Sequence, residues 1–145
     1  MSRTSEDIIS EVLDTRLPKR GPGVRLLWGE TGYGGSWDPF HEEISVGKTY
    51  IKKGWAPAVL GHELAHRREG LVTLGGEASE RTFWKELAAW EAAIERGLPR
   101  EEISELLIED SLGGYLDDVQ SEHGEDSREY REAKEGYLRF KRRFL

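Results

Sequence analysis

Cysteine is absent from this chain of 145 residues, and long apolar runs are absent as well. Without thiols the chain can form neither disulfide bonds nor thiolate metal sites, so any bound metal ion would need histidine and carboxylate ligands. No apolar run approaches the roughly 20 residues of a membrane-spanning helix. The first residues, MSRTSEDIISEVL, are typical of the start of an amphipathic helix and not of a signal peptide, so we expect a cytoplasmic protein without a membrane partner.

Positive charge is also scarce. The chain has 21 Lys and Arg residues against 28 Asp and Glu residues, a net charge of −7. A nucleic-acid-binding protein needs basic groups that replace phosphate counterions, so no nucleic-acid partner is expected. The basic cluster near the C-terminus suits the end of a helix, where positive charge is favourable. It comprises Arg139, Lys141, Arg142 and Arg143.

Length and aromatic content predict a single domain over residues 1–145. Five Trp, five Tyr and four Phe residues can anchor its core. Residues 24–28 favour one strand, and residues 43–46 and 49–51 favour one or two more. The glycine-rich stretch between them favours a hairpin or a wide loop, in which Trp37 and His41 are structural. Helical segments follow these strands, so the expected class is α+β.

Five helices are expected from the spacing of apolar residues and from capping and stop signals. The first begins near Ser5 and ends before Pro18. The second begins at Pro57, which fits a first helical turn, and stops at Gly70. The others cover residues 79–96, 101–110 and about 126–145, and the pair Gly113-Gly114 is expected to interrupt the chain after the fourth helix.

The second expected helix contains the segment His62-Glu63-Leu64-Ala65-His66. Residues four apart lie on one helix face, so both imidazoles can ligate one metal ion, and zinc is the expected metal. Glu63 is rotated by about 100° from His62 and can accept a proton from a metal-activated water without being a ligand. Leu60 and Leu64 lie on the other side, where they can pack into a core. The pattern therefore predicts a hydrolytic zinc site.

A catalytic zinc usually has three protein ligands. The metzincin arrangement would need glycine and histidine where this chain has Glu69 and Val72. A glutamate of the following helix is the remaining common choice, and the candidates are Glu77, Glu80, Glu86, Glu91 and Glu95, with Glu69 as an outsider. Glu86 is favoured because the small residues Ala89 and Ala93 on its face would let two helices approach closely. Glu91 lies near the centre of the apolar stripe and stays open.

An HExxH segment followed by E-x-x-A on a second helix resembles the gluzincin pattern. Here the second part is Glu86-Leu87-Ala88-Ala89. The chain is most similar to the minigluzincins and to the catalytic domains of HtpX-type membrane peptidases, mainly over residues 55–96. Trp90 stands where the membrane relatives have an aspartate, so the pattern lacks the aspartate that usually supports a metal ligand without binding the ion itself.

This resemblance implies a small zincin-like domain with a short antiparallel sheet packed on an active-site helix and a glutamate helix, followed by C-terminal helices. It implies that His62, His66 and Glu86 bind Zn²⁺ and that Glu63 is the general base of a zinc endopeptidase. It also implies an edge strand beside the cleft, to which a peptide or protein substrate adds as a further strand.

Peptide hydrolysis also needs a donor for the oxyanion that forms at the carbonyl. Tyr115 and His123 are the downstream candidates. Tyr115 follows two glycines and could project towards the cleft, although core packing is the simpler interpretation. His123 lies in the polar stretch Glu122-His123-Gly124, where a surface position is the simpler interpretation.

Two other functions fit the same motif. An ImmA/IrrE-like regulatory peptidase would cleave one specific partner, and a catalytically silent module would use zinc only to stabilise a binding domain. The general peptidase and these two alternatives all predict bound zinc, but only the general peptidase predicts turnover of generic peptides.

Residues 130–145 carry a large apolar load, which predicts that the last helix docks, either in the core behind the zinc helix or as a lid over the cleft. Neither substrate preference nor oligomeric state follows from the sequence.

Overall fold

The computed structural model describes residues 25–28, 35–40, 43–72, 76–98 and 100–145, with the side chains of 25–28 and 100 left undescribed. The expected first helix and His41 lie outside these residues. The chain divides into two compact units, Met1–Gly70 and Leu71–Leu145. A small sheet with helices in the first unit and helices in the second confirm the α+β class. The expectation of a single domain over residues 1–145 stays a prediction.

Three short strands form one sheet in the first unit: β1 (Arg25–Trp28), β2 (Gly35–Asp38) and β3 (Glu43–Val46). Their order is β1-β3-β2, with β3 in the centre. β2 and β3 are antiparallel as expected, but β1 pairs with β3 in parallel, so the prediction of an antiparallel sheet is only half correct. Successive strands along the chain run in opposite directions, so β1 and β3 run in the same direction. Trp37, expected in a loop, pairs with Ile44 within β2.

Residues 49–51 do not form the expected strand. They belong to the short helix α1 (Lys48–Lys52), which Gly47 precedes. Thr, Tyr and Ile favour strands only when a neighbouring strand is present to pair with them. Here the backbone N–H of Trp55 instead donates to the carbonyl of Tyr50 at 2.9 Å, and the two rings meet edge to face with centroids 5.7 Å apart. These local contacts favour a compact turn into the next helix.

The helix that carries the HExxH segment is α2 (Ala56–Glu69). Its bounds match the prediction closely, because Pro57 lies in its first turn and Gly70 caps its end in the left-handed conformation, with φ 64°. α2 packs against β2 and β3. Its residues from Ala56 to His66 are all buried, so both histidines of the HExxH segment lie in the buried part of the helix.

The second unit consists of α3 (Ser79–Glu95), a 3₁₀ turn (Arg100–Glu102), α4 (Glu105–His123) and α5 (Arg128–Phe144). The three α-helices pack against one another. Ser104 and Ser127 cap α4 and α5, since their hydroxyl oxygens accept hydrogen bonds from backbone N–H groups of the first turn. α5 begins within two residues of its predicted start and docks through Ala133, Gly136, Tyr137, Phe140 and Phe144. It is therefore part of the core of this unit.

α4 runs straight through Gly113 and Gly114, which the sequence analysis expected to interrupt the chain. Two helical glycines cost roughly 1 kcal/mol each relative to alanine. Burial of apolar side chains on both sides of the pair outweighs that cost; they are Leu107, Ile108, Leu112, Leu116 and Val119. None of the described helices is long and apolar enough to cross a membrane.

Candidate metal centre

α2 places His62, Glu63 and His66 together in the interior of the first unit. Their exposed fractions are 4%, 6% and 4%. Three ionisable side chains are rarely buried side by side, because charged groups in the interior must be paired or must coordinate a metal. Among the described residues, these three form one of two groups in which potential ligand atoms lie within 4.8 Å of one another.

The two imidazoles converge through their Nε2 atoms, which lie 3.1 Å apart. The rings are perpendicular, with centroids 4.6 Å apart. Two nitrogens bound to one zinc ion at about 2.0–2.1 Å lie roughly 3.3 Å from each other when the angle at the metal is tetrahedral. The observed separation fits that requirement. It also fits a hydrogen bond between neutral rings, in which one Nε2–H donates to the other Nε2.

Glu63 lies beside the histidine pair without occupying the same helix face. Its Oε1 is 4.0 Å from Nε2 of His62, which is too far for a hydrogen bond. The same oxygen faces β2, where an ideal Cβ built on Gly35 would lie 3.5 Å from it.

Glu86 is the buried member of the five glutamate candidates on or before α3. Its exposed fraction is 6%, whereas Glu91 is only half-buried. Burial raises the pKa of Glu91, with a further rise from Glu95 that Arg143 opposes. Glu95 is exposed and lies 3.6 Å from Arg143. The deeper burial of Glu86 agrees with the sequence argument that favoured it over Glu91. Its role as the third ligand stays a prediction.

Glu77 and Glu80 are engaged elsewhere in the second unit. Nζ of Lys85 donates to Oε1 of Glu77 at 2.5 Å and to the carbonyl of Val72 at 2.8 Å, which fastens the segment before α3 to that helix. Oε2 of Glu80 lies 2.6 Å from Nε2 of His123. Each carboxylate therefore already has a close side-chain partner, Lys85 for Glu77 and His123 for Glu80.

The two oxyanion-donor candidates both lie on α4. Tyr115 is half-buried in the middle of the helix, and its catalytic role stays a prediction. His123 lies in the last helical turn and not in the expected loop. It meets Glu80 at 2.6 Å, Glu122 at 3.6 Å and Glu129 at 3.9 Å. The hydrogen bond with Glu80 is the main cause that raises the pKa of His123.

Sequence reasoning missed the contact between Gly35 and the HExxH helix. A side chain at position 35 would overlap Cγ1 of Val59, one turn before Glu63 on the same face of α2. The glycine-rich composition around position 35 was visible in the sequence, but composition cannot show which glycine touches which helix.

Comparisons with protein-family models, with curated proteins and with solved structures found no match. The interpretation of this centre accordingly depends on its own geometry.

Proposed function

We propose that the protein is a zinc-dependent metallopeptidase of the gluzincin type. His62 and His66 would hold the ion, Glu86 would complete the protein ligands and Glu63 would act as general base. The observation that carries this proposal is the convergence of two buried Nε2 atoms 3.1 Å apart, with a buried carboxylate 4.0 Å from one of them. Two imidazole nitrogens and a nearby carboxylate are donor groups that hydrolytic zinc sites use, which supports the proposal.

The bound zinc would polarise the scissile carbonyl and lower the pKa of water to about 7. Glu63 accepts a proton from the attacking water while the water oxygen bonds to the carbonyl carbon. Glu63 then delivers that proton to the amide nitrogen as the carbon–nitrogen bond breaks. Its burial shields the carboxylate from bulk water during both transfers.

The expected substrate is a peptide or a protein, and Tyr115 stays the candidate donor to the oxyanion. A cytoplasmic location belongs to the same proposal. A regulatory peptidase with one partner would share the metal centre but would not cleave generic peptides. A silent zinc-stabilised module would bind the metal without cleaving any.

The central test combines metal analysis with a peptide-library cleavage assay. We expect about one zinc per chain in wild type, and the same zinc content with a kcat lowered by about 10²–10⁴ in Glu63→Gln, because the amide cannot accept the proton. Glu135→Ala is the control, since that carboxylate is exposed on α5, where it pairs with the neighbouring Arg139. It should retain both zinc and activity.

Chelation gives a second readout that needs no substrate. A ligand that binds only the folded protein stabilises it, so removal of zinc should lower the melting temperature of wild type and of Glu63→Gln alike. Absence of zinc uptake from excess metal would refute the metal centre. Zinc binding without cleavage of any library peptide would refute the general peptidase and support one of the two alternatives.

A further inference from the structure

Gly35 lies in the sheet beside the proposed general base, since a Cβ at this position would lie 3.5 Å from Oε1 of Glu63. It opens β2, and its register partner on β3 is Val46. Glycine is often required where the backbone adopts a positive φ, but the described glycines with positive φ are others: Gly54, Gly70, Gly76, Gly97 and Gly124. The backbone at position 35 would therefore accept a side chain, and the reason for glycine there must be space.

Three atoms lie close to the position that a Cβ on Gly35 would take. A Cβ on Gly35 would overlap Cγ1 of Val59, would lie 3.3 Å from the carbonyl oxygen of Ser45 and would lie 3.5 Å from Oε1 of Glu63. Val59 and Glu63 are four residues apart, so they share one face of α2. The start of β2 therefore crosses α2 at the turn that presents Glu63.

Three glycines of the second unit have a different environment. A Cβ on Gly113 or Gly114 would meet no atom within 4 Å. A Cβ on Gly136 would meet the far end of the Trp84 ring, which is 40% exposed and can rotate away. At Gly35 the overlapping atom belongs to Val59, which is 3% exposed and so has less freedom to turn away than the Trp84 ring, and a backbone carbonyl lies at 3.3 Å.

We infer that Gly35 is a positioning residue of the HExxH centre: its lack of a side chain lets β2 lie directly on the Val59–Glu63 face of α2 and thereby fixes the place of the Glu63 carboxylate. The inference deepens the proposed function and depends on it for its effect on catalysis. A methyl group at position 35 would overlap Cγ1 of Val59 and would lie in ordinary contact, at 3.5 Å, with Oε1 of Glu63. Because Val59 lies one turn before Glu63 on the same face of α2, a shift that relieves the overlap at Val59 acts on the turn that presents Glu63. His62 and His66 lie on another face of the helix, so we expect zinc binding to be retained.

Four variants test this assignment: Gly35→Ala, Val59→Ala, the double variant and the control Gly114→Ala. We expect Gly35→Ala to bind zinc as wild type does and to lower kcat by about 10- to 100-fold, because a displacement of about 1 Å is enough for such a loss. KM should change little, since Glu63 acts on the reacting water. Gly114→Ala should leave zinc binding and kcat unchanged.

The double variant distinguishes a positioning role from general damage. Val59→Ala removes the methyl group that the new Cβ would overlap, so the double variant should regain the kcat of Val59→Ala alone to within about threefold. Equal kcat in Gly35→Ala and wild type would overturn the inference, and so would a loss of kcat that Val59→Ala does not restore. If Gly35→Ala fails to fold, recovery of folding in the double variant supports the inference, and failure of both overturns it.

Crystal structures of the same variants separate this inference from the proposed activity. Glu63 should be displaced in Gly35→Ala and should return to its wild-type place in the double variant, whether or not any peptide is cleaved. That result with an inactive wild type would refute the peptidase but retain the positioning role of Gly35. An undisplaced Glu63 in Gly35→Ala would refute the positioning role even if wild type is an active peptidase.

Discussion

Nε2 of His123 lies 2.6 Å from Oε2 of Glu80, and this contact joins the last turn of α4 to the first turn of α3. Glu122 on the same helix and Glu129 at the start of α5 also face the imidazole, at 3.6 Å and 3.9 Å. Glu122 in addition accepts a hydrogen bond from the backbone N–H of Ser79 at 2.9 Å. A protonated His123 therefore links the ends of three helices.

This junction predicts a pH-dependent stability in the second unit. The hydrogen bond with Glu80 and the nearby carboxylates raise the pKa of His123 above its ordinary value of 6.5. A raised pKa in the folded protein means that the stabilisation is fully present below about pH 6.5 and is lost as pH rises through the higher, folded-state pKa. The difference in free energy of unfolding between wild type and His123→Gln should therefore shrink across that interval.

Urea denaturation of both proteins between about pH 5.5 and pH 8.5 measures this difference, and subtraction cancels the titration of groups common to both. Glu80→Gln is the matched variant, because it removes the main partner and leaves the histidine. The double variant should show little further loss, since the two side chains act as a pair. A stability difference that is constant over the whole interval would contradict the prediction.

The third ligand can be identified by comparing Glu86→Gln with Glu91→Gln. Glu86 is 6% exposed, and loss of a direct ligand should weaken zinc binding by more than about 100-fold. That factor is the upper end of the range for substitutions of residues that only support the ligands. Glu91 is only half-buried, and its replacement should change the zinc Kd by less than about tenfold. Competition titration with a chelator measures both constants. Loss of zinc in Glu91→Gln with retention in Glu86→Gln would exclude Glu86 as the ligand.

Local signals in the sequence were sufficient for α2 and α5. Pro57 and Gly70 mark the ends of α2 through backbone conformation alone, and the Ser127 hydroxyl marks the start of α5. The face of α2 that carries His62 and His66 follows from the helical period. These features depend on residues close together in the chain, which is why the sequence suffices to predict them.

Long-range contacts account for the errors. The parallel pairing of Arg25–Trp28 with Glu43–Val46 depends on which strand takes the central position, and no local pattern specifies that choice. The helix through Gly113 and Gly114 persists because its flanking apolar residues are buried against α3 and α5. The contact of Gly35 with Val59 and Glu63 joins residues far apart in sequence, and only the folded chain brings them together.

Gly114 and Gly136 provide a matched pair of helical glycines with opposite expected effects. Gly114→Ala should stabilise the protein by about 0.5–1 kcal/mol, because a methyl group there meets open space and alanine has the better helix propensity. Gly136→Ala places a methyl group against the Trp84 ring. It should destabilise by about 1 kcal/mol, the low end for overpacking, since the partly exposed Trp84 can rotate.

Urea midpoints of the two variants measure these effects, with an unchanged m-value as the check that unfolding exposes the same surface. Destabilisation by Gly114→Ala would mean that α4 does not continue through the glycine pair. Stabilisation by Gly136→Ala would mean that α5 does not pack against Trp84.

Substitutions on opposite faces of α5 test whether this helix is part of the core. Phe140 is 3% exposed, and Phe140→Ala should destabilise by about 3–5 kcal/mol, because it removes a buried ring and leaves a cavity. Leu138 is 43% exposed, and Leu138→Ala should change stability by less than about 0.5 kcal/mol. Thermal and urea unfolding of both variants provide the measurement. Similar effects of the two substitutions would contradict the orientation of α5.

Truncation before Asp126 extends that test to the whole of α5. Removal of the helix exposes the apolar surface of α3 and α4 that its buried residues cover, among them Tyr137, Phe140 and Phe144. The shortened chain should therefore lose cooperative unfolding, as followed by near-ultraviolet circular dichroism and denaturation. A folded and more active protein would instead establish that the helix suppresses activity as a lid. A folded protein with unchanged stability and activity would refute both roles, because neither a core helix nor a lid can be removed without effect.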